Sequence, residues 1–187
     1  MSSEADIANS ALLDMGQPAI TSLDQNTGSA RAMKAAFESV RDYVLGLHPW
    51  NFAKERVALA QKSDAPLYKF SHAFAMPNDF LVLLETFPKM REYRVEGDAL
   101  LCNVSAVSIT YTRRVTSVKS MPPFFRETFS AYLGAKTAKL ITGSDEARKL
   151  LEALAADRLN AARHANALSS GAEEPSRPDL FIRARSI

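Results

Sequence analysis

The sequence predicts an α+β fold, mainly α: an antiparallel helical bundle drawn from both chain ends, a small antiparallel β domain inserted in the middle, and an extended C-terminal arm. Three observations predict it. Apolar residues recur at helical spacing over residues 3–47 and again over 122–168. Between them, residues 54–120 break into short runs rich in β-branched and aromatic residues, which favour strands. Past residue 169 the chain turns to Ser, Gly, Glu and Pro, a composition that forms no core. The expected divisions are 1–53 for the N-terminal helices, 54–121 for the β insertion, 122–169 for a C-terminal helical hairpin and 170–187 for the arm. There is no internal repeat, and no second independent core is expected.

The first helix is expected over residues 3–15, where Ile7, Ala8, Ala11, Leu12 and Met15 make one apolar stripe. Ser3 and Asp6 have the form of a capping pair, and Gly16 supplies a left-handed stop. Residues 17–29 are polar and turn-rich, with Ile20 and Leu23 as buried anchors, and read as an ordered loop. Helical spacing resumes over 29–47 through Ala32, Met33, Ala36, Phe37, Val40, Val44 and Leu47, with Thr27 or Ser29 as cap. His48-Pro49 breaks this helix, because proline lacks the amide donor and restricts the residue before it. Strands are expected at 56–60, 68–75, 80–87, 91–95 and 104–114, the last with Val107, Ile109 and Tyr111 alternating against Ser108, Thr110 and Thr112. Pro77-Asn78-Asp79 and Glu96-Gly97-Asp98 carry turn chemistry, and the second is short enough to close a hairpin.

Pro122-Pro123 opens a helix to residue 142 that places Phe125, Phe129, Tyr132, Leu133, Lys136 and Leu140 on one face. Gly143 ends it and Ser144 caps a last helix over 145–168, with Ala147, Leu150, Leu151, Leu154, Leu159, Ala162 and Ala165 inward. So short a turn between long helices predicts antiparallel packing. The arm beyond is polar until Leu180-Phe181-Ile182-Arg183-Ala184-Arg185, an apolar cluster followed by alternating arginines.

Composition excludes several functions. With 187 residues, the chain holds one compact domain or two small lobes. Its 23 basic and 21 acidic residues leave a net charge of +2, too balanced for a protein that coats DNA. A single cysteine, Cys102, excludes an internal disulfide framework and multi-thiolate zinc sites, and predicts folding in a reducing compartment. No apolar run reaches the about eighteen residues of a membrane span. The acidic start at Glu4 and Asp6 is unlike a secretory signal, so synthesis in the cytoplasm is expected.

Catalysis has no visible owner. His48, His72 and His164 are scattered without metal-binding spacing, and Cys102 sits in the strand-like Leu100-Leu101-Cys102, where it acts as a small hydrophobe. Asp145-Glu146 stands at a helix N-terminus, where the dipole favours acids, and Glu173-Glu174 lies in the arm. Glycines form no phosphate cradle. The expectation is no enzyme, no cofactor and no metal. Lys89, Arg91 and Arg94, with Arg113, Arg114 and Lys119, bias the β region positive; they read as a solvated face or a contact with DNA or an acidic protein. Trp50 with Phe52 and Tyr43 reads either as an exposed aromatic contact or as core, and a tryptophan just after a helix break is expected to plug a core.

Several of these stretches together resemble a family. They are Leu12-Leu13-Asp14-Met15-Gly16, Ile20-Thr21-Ser22-Leu23-Asp24, Ala30-Arg31, Val40-Arg41-Asp42 and, most specific, His48-Pro49-Trp50-Asn51-Phe52-Ala53 leading into Arg56-Val57-Ala58-Leu59-Ala60. Tyr68-Lys69-Phe70, Met76-Pro77-Asn78-Asp79, Tyr93-Arg94-Val95-Glu96-Gly97 and the Thr142-Gly143-Ser144 turn agree more loosely. In this order they resemble the head-to-tail adaptor proteins of tailed phages related to tail tubular protein A of short-tailed phages. The β region is short, so nothing assigned to the larger distal domain of long relatives carries over. The resemblance implies a virion protein forming a ring of about twelve copies beneath the portal, joined to the next tail component and passing double-stranded DNA without reading it. On that basis Leu180, Phe181 and Ile182 are expected to anchor the arm in the portal while Arg183 and Arg185 meet carboxylates there. A helical DNA-binding protein with Arg158–Arg163 as its reading face, and a tail-associated cell-wall hydrolase, are the alternatives.

Overall fold

The structure is a computed structural model and describes residues 3–169. It is an α+β fold of four helices and two small antiparallel sheets. Helix α1 (Glu4–Asp14) begins at a reciprocal cap, Asp6 N–H donating to Ser3 Oγ at 3.2 Å and Ser3 N–H to Asp6 Oδ2 at 2.7 Å. It ends at Gly16, whose φ of 66° lets the chain turn back so that Gln17 N–H reaches the Leu12 carbonyl. The following loop is strapped to the helix: Asn9 donates to the Ile20 carbonyl at 2.9 Å and accepts from Ile20 N–H at 2.8 Å. That bond pair drives Ile20 inward, and Leu23 is buried with it.

Helix α2 (Gly28–Gly46) is capped by Thr27, and α3 (Pro123–Thr142) starts with proline where its missing donor costs nothing. Gly143 stops α3 at φ 73°, and Ser144 caps α4 (Asp145–Leu168). Gly143→Ala forces a Cβ into left-handed backbone and is expected to cost about 1 kcal/mol in urea unfolding, with no change in helix content. One core gathers residues from both ends of the chain: Ile7 and Leu12 from α1, Met33, Phe37 and Val44 from α2, Phe125, Phe129 and Leu133 from α3, Leu159 and Ala162 from α4. Phe37 and Phe129 meet with ring centres 4.8 Å apart. Thr128 Oγ1 bridges α3 to the Arg158 carbonyl of α4.

Two leucines expected inside lie outside. Leu140 is 78% and Leu150 67% exposed, and Lys136 is exposed too. The reason is that α3 packs against α1, α2 and α4 together, so it is buried through small residues, Ser130, Ala131, Gly134, Ala135 and Ala138, which large-residue periodicity does not mark.

The strands are β1 (Lys54–Ala58), β2 (His72–Ala75), β3 (Phe80–Phe87), β4 (Arg94–Glu96), β5 (Ala99–Cys102) and β6 (Ser108–Arg113). They form two sheets ordered β1-β6-β3 and β2-β5-β4. The Gly97-Asp98 turn closes the β4–β5 hairpin, with Glu96 opposite Ala99. The run expected from residue 68 begins only at His72, because Lys69 takes φ 70° and Leu67 and Tyr68 point into solvent. The alternation in β6 also gives way: Thr112 is buried like Ile109 and Tyr111, since this central strand is covered on both faces. Tyr111 donates its hydroxyl to Asp79 at 2.9 Å, and burial together with that bond pushes the phenol up to about 12.

The β region has its own cluster of buried residues, Leu59, Phe74, Leu100, Cys102, Val107, Ile109 and Tyr111, so the expectation of no second core is corrected. It forms because the two sheets enclose apolar faces that the helices do not reach. Val115, Val118 and Met121, just after β6, already belong to the helical core. Asp42 of α2 links the two regions, accepting from Arg41 Nε at 2.9 Å and from Arg114 Nε at 2.7 Å. Among the described residues no helix is long and apolar enough to cross a membrane.

Candidate functional site

The most specific run of the sequence, His48 to Phe52, folds into a joint between helices and sheet. The helix α2 stops at Gly46 and the Pro49 ring directs the chain into a single 3-10 turn, Asn51–Ala53, before β1. Trp50 is fully buried, and its indole N–H donates to the Val44 carbonyl at 2.9 Å. The same carbonyl accepts the Leu47 N–H at 3.3 Å, so the indole is a second donor at the helix end. Its ring stands edge-on to Phe125 at 5.3 Å, and Phe52 also meets Phe125 edge-on, at 4.8 Å. Tyr43, by contrast, is 56% exposed and touches Tyr132.

The joint also holds the end of α4. Asn51 N–H donates to Asn166 Oδ1 at 2.9 Å, and Asn51 Nδ2 donates to the Asn166 carbonyl at 2.9 Å and to Ser169 Oγ at 3.2 Å. The Asn166 amide lies 3.0 Å from His48 Nε2, and the His48 ring stacks edge-on against Trp50 at 4.8 Å. Arg163 of α4 donates to the Leu47 carbonyl at 3.2 Å. Burial, reinforced by the cations of Arg163 and Lys54, lowers the His48 pKa below its usual 6.5.

Sequence reasoning placed the motif but missed Asn166. The signal was present: a buried asparagine on the stripe that carries Leu159 and Ala162, where a polar side chain needs a partner. Arg41 stood out only as part of Val40-Arg41-Asp42; that it is buried, between Val40 and Val44, is seen only in the structure.

The basic residues expected to face outward divide into two sets. Arg113 pairs with Glu55 at 3.2 Å and Arg114 with Asp42, both at the end of β6. Lys89, Arg91 and Arg94 are exposed around β4, in the other sheet. Of the α4 cations, Arg158 pairs with Asp14 at 2.9 Å, so it and Arg163 are engaged inside the molecule. Leu180, Phe181, Ile182, Arg183 and Arg185 lie outside the described residues. Among the described residues no three His, Cys, Asp or Glu side chains stand close enough to hold a metal ion. An open depression lined by Leu23, Arg31, Phe37 and Glu38 carries the Lys34–Asp24 ion pair, and its walls hold no nucleophile with an adjacent base. No protein-family model matches the chain, and no curated protein matches it either.

Proposed function

We propose that this chain is a structural head-to-tail adaptor of a tailed phage, not an enzyme. Made in the host cytoplasm, it acts in the virion as a ring of about twelve copies beneath the portal, joined to the next tail component and passing double-stranded DNA. The observation that carries the reading is the His48-Pro49-Trp50-Asn51-Phe52-Ala53 run, whose resemblance to the adaptor family is the most specific in the chain. Its setting supports the reading: the four helices are read as an antiparallel bundle from both chain ends, with the β region inserted. The motif ties the end of α4, and with it the root of residues 170–187, to the break between helix and sheet. In this reading Leu180, Phe181 and Ile182 anchor the arm on the portal, Arg183 and Arg185 pair with its carboxylates, and Lys89, Arg91 and Arg94 face the tail partner or DNA. The engagement of Arg158 and Arg163 within the molecule weighs against α4 as a DNA-reading helix.

Particle mass in solution tests this, for the full chain and for a form ending at Ser170, each alone and mixed with the portal of the same phage. A ring-sized gain in portal mass that disappears on truncation is expected. No gain with either form, while the portal itself is intact, overturns the adaptor reading.

A further inference from the structure

We propose that His48 and Asn166 form a pH-operated latch that holds the end of α4 to the turn before β1 and opens when the imidazole is protonated. The argument is one of donors and acceptors. A backbone N–H can only donate, so the Asn166 atom facing Asn51 N–H at 2.9 Å must be the amide oxygen. The amide nitrogen then faces His48 Nε2 at 3.0 Å, and an NH2 can only donate, so Nε2 accepts and the ring proton sits on Nδ1. Protonation puts a second N–H on Nε2, pointing at the NH2. Turning the amide over does not relieve this, because it sets the NH2 against Asn51 N–H instead. Asn166 is buried, with 4% of its surface exposed, so the conflict is not absorbed by water unless the contact opens.

The surroundings point the same way. The charged groups acting on His48 are Arg163 from α4 and Lys54 at the start of β1, both cations, and no described carboxylate offsets them. The carbonyl end of α2, which ordinarily favours a protonated histidine, is already served by Trp50 at Val44 and by Arg163 at Leu47. The folded state therefore binds its proton more weakly than the unfolded chain. The latch is fully made above the ordinary histidine value of 6.5 and is lost as pH falls through the lower folded value. Opening displaces the Asn166 side chain from Asn51 N–H, next to the Asn51 Nδ2 bonds to the Asn166 carbonyl and Ser169 Oγ at the end of α4. This inference does not depend on the adaptor reading.

Nuclear magnetic resonance titration of the full chain tests it. The Nδ1–H tautomer of neutral His48 is expected near about pH 7.5. On acidification, the Asn51 N–H and the Asn166 side-chain NH2 signals should shift in one step with the His48 titration. In His48→Gln, whose side-chain oxygen accepts the same bond without titrating, the step should vanish with the contacts retained. In Asn166→Asp, a carboxylate facing the ring should move the His48 titration upward past 6.5. An Nε2–H tautomer, a His48 titration that leaves Asn51 and Asn166 unmoved, or a step that persists in His48→Gln overturns the latch.

Discussion

Trp50→Ala is expected to destabilise the protein by about 3–5 kcal/mol, measured as a fall in the urea midpoint with an unchanged slope. The indole is fully buried where α2, α3 and the turn before β1 converge, and it contacts His48, Phe124 and Phe125. Alanine leaves a cavity that three elements cannot jointly close, and it removes one of the two donors to the Val44 carbonyl, the other being Leu47 N–H. Trp50→Phe separates the two contributions: it keeps most of the apolar contact and loses the N–H, and a smaller loss of about 1–2 kcal/mol is expected. A Trp50→Ala protein within about 1 kcal/mol of the parent contradicts a structural role for the motif.

Asp42→Ala is expected to cost about 3 kcal/mol, for a different reason. Arg41 has only 7% of its side chain exposed and gives its Nε–H to this carboxylate. Removing the acid leaves a buried cation uncompensated, which costs far more than the pair itself contributes. The Arg114 side of the bridge is 38% exposed, so solvent screens it and it adds little. The paired change Arg41→Leu with Asp42→Ala should recover most of the loss, because two apolar groups replace the ion pair. Equal destabilisation in the single and double variants, again by urea unfolding, contradicts this account.

Much of the fold was legible because it rests on local rules. The Ser3–Asp6 cap, the glycine stops at Gly16 and Gly143, the Ser144 cap and the Gly97-Asp98 turn are each fixed by a few neighbouring residues. The strand β3 agrees with its expected limits, β2 and β6 contract to the paired residues, β1 begins two residues early and ends at Ala58, and β4 starts late and runs on to Glu96. The divergences have one origin. Leu67 and Tyr68 have strand-like side chains, yet the left-handed Lys69 beside them is set by the loop as a whole. Leu140 and Leu150 satisfy helical spacing, yet no element covers them in the described chain.

The candidate site divides in the same way. His48 to Phe52 stood out in sequence because a proline break followed by an aromatic cluster is a local pattern. Asn166 did not, since its role is defined by Asn51, 115 residues away in the chain. Arg113 and Arg114 carried a visible charge, but only folding brings Glu55 and Asp42 to them.

By itself, then, the sequence determined where helices start and stop, which segments alternate, and that Trp50 belongs inside. The tertiary structure alone decided which polar groups answer one another: Asn166 with His48 and Asn51, Asp42 with Arg41 and Arg114. Caps and periodicity arise from backbone geometry over a few residues, which sequence encodes directly. Buried polar pairing depends on which distant groups lose water together, and that is settled only when the whole chain closes.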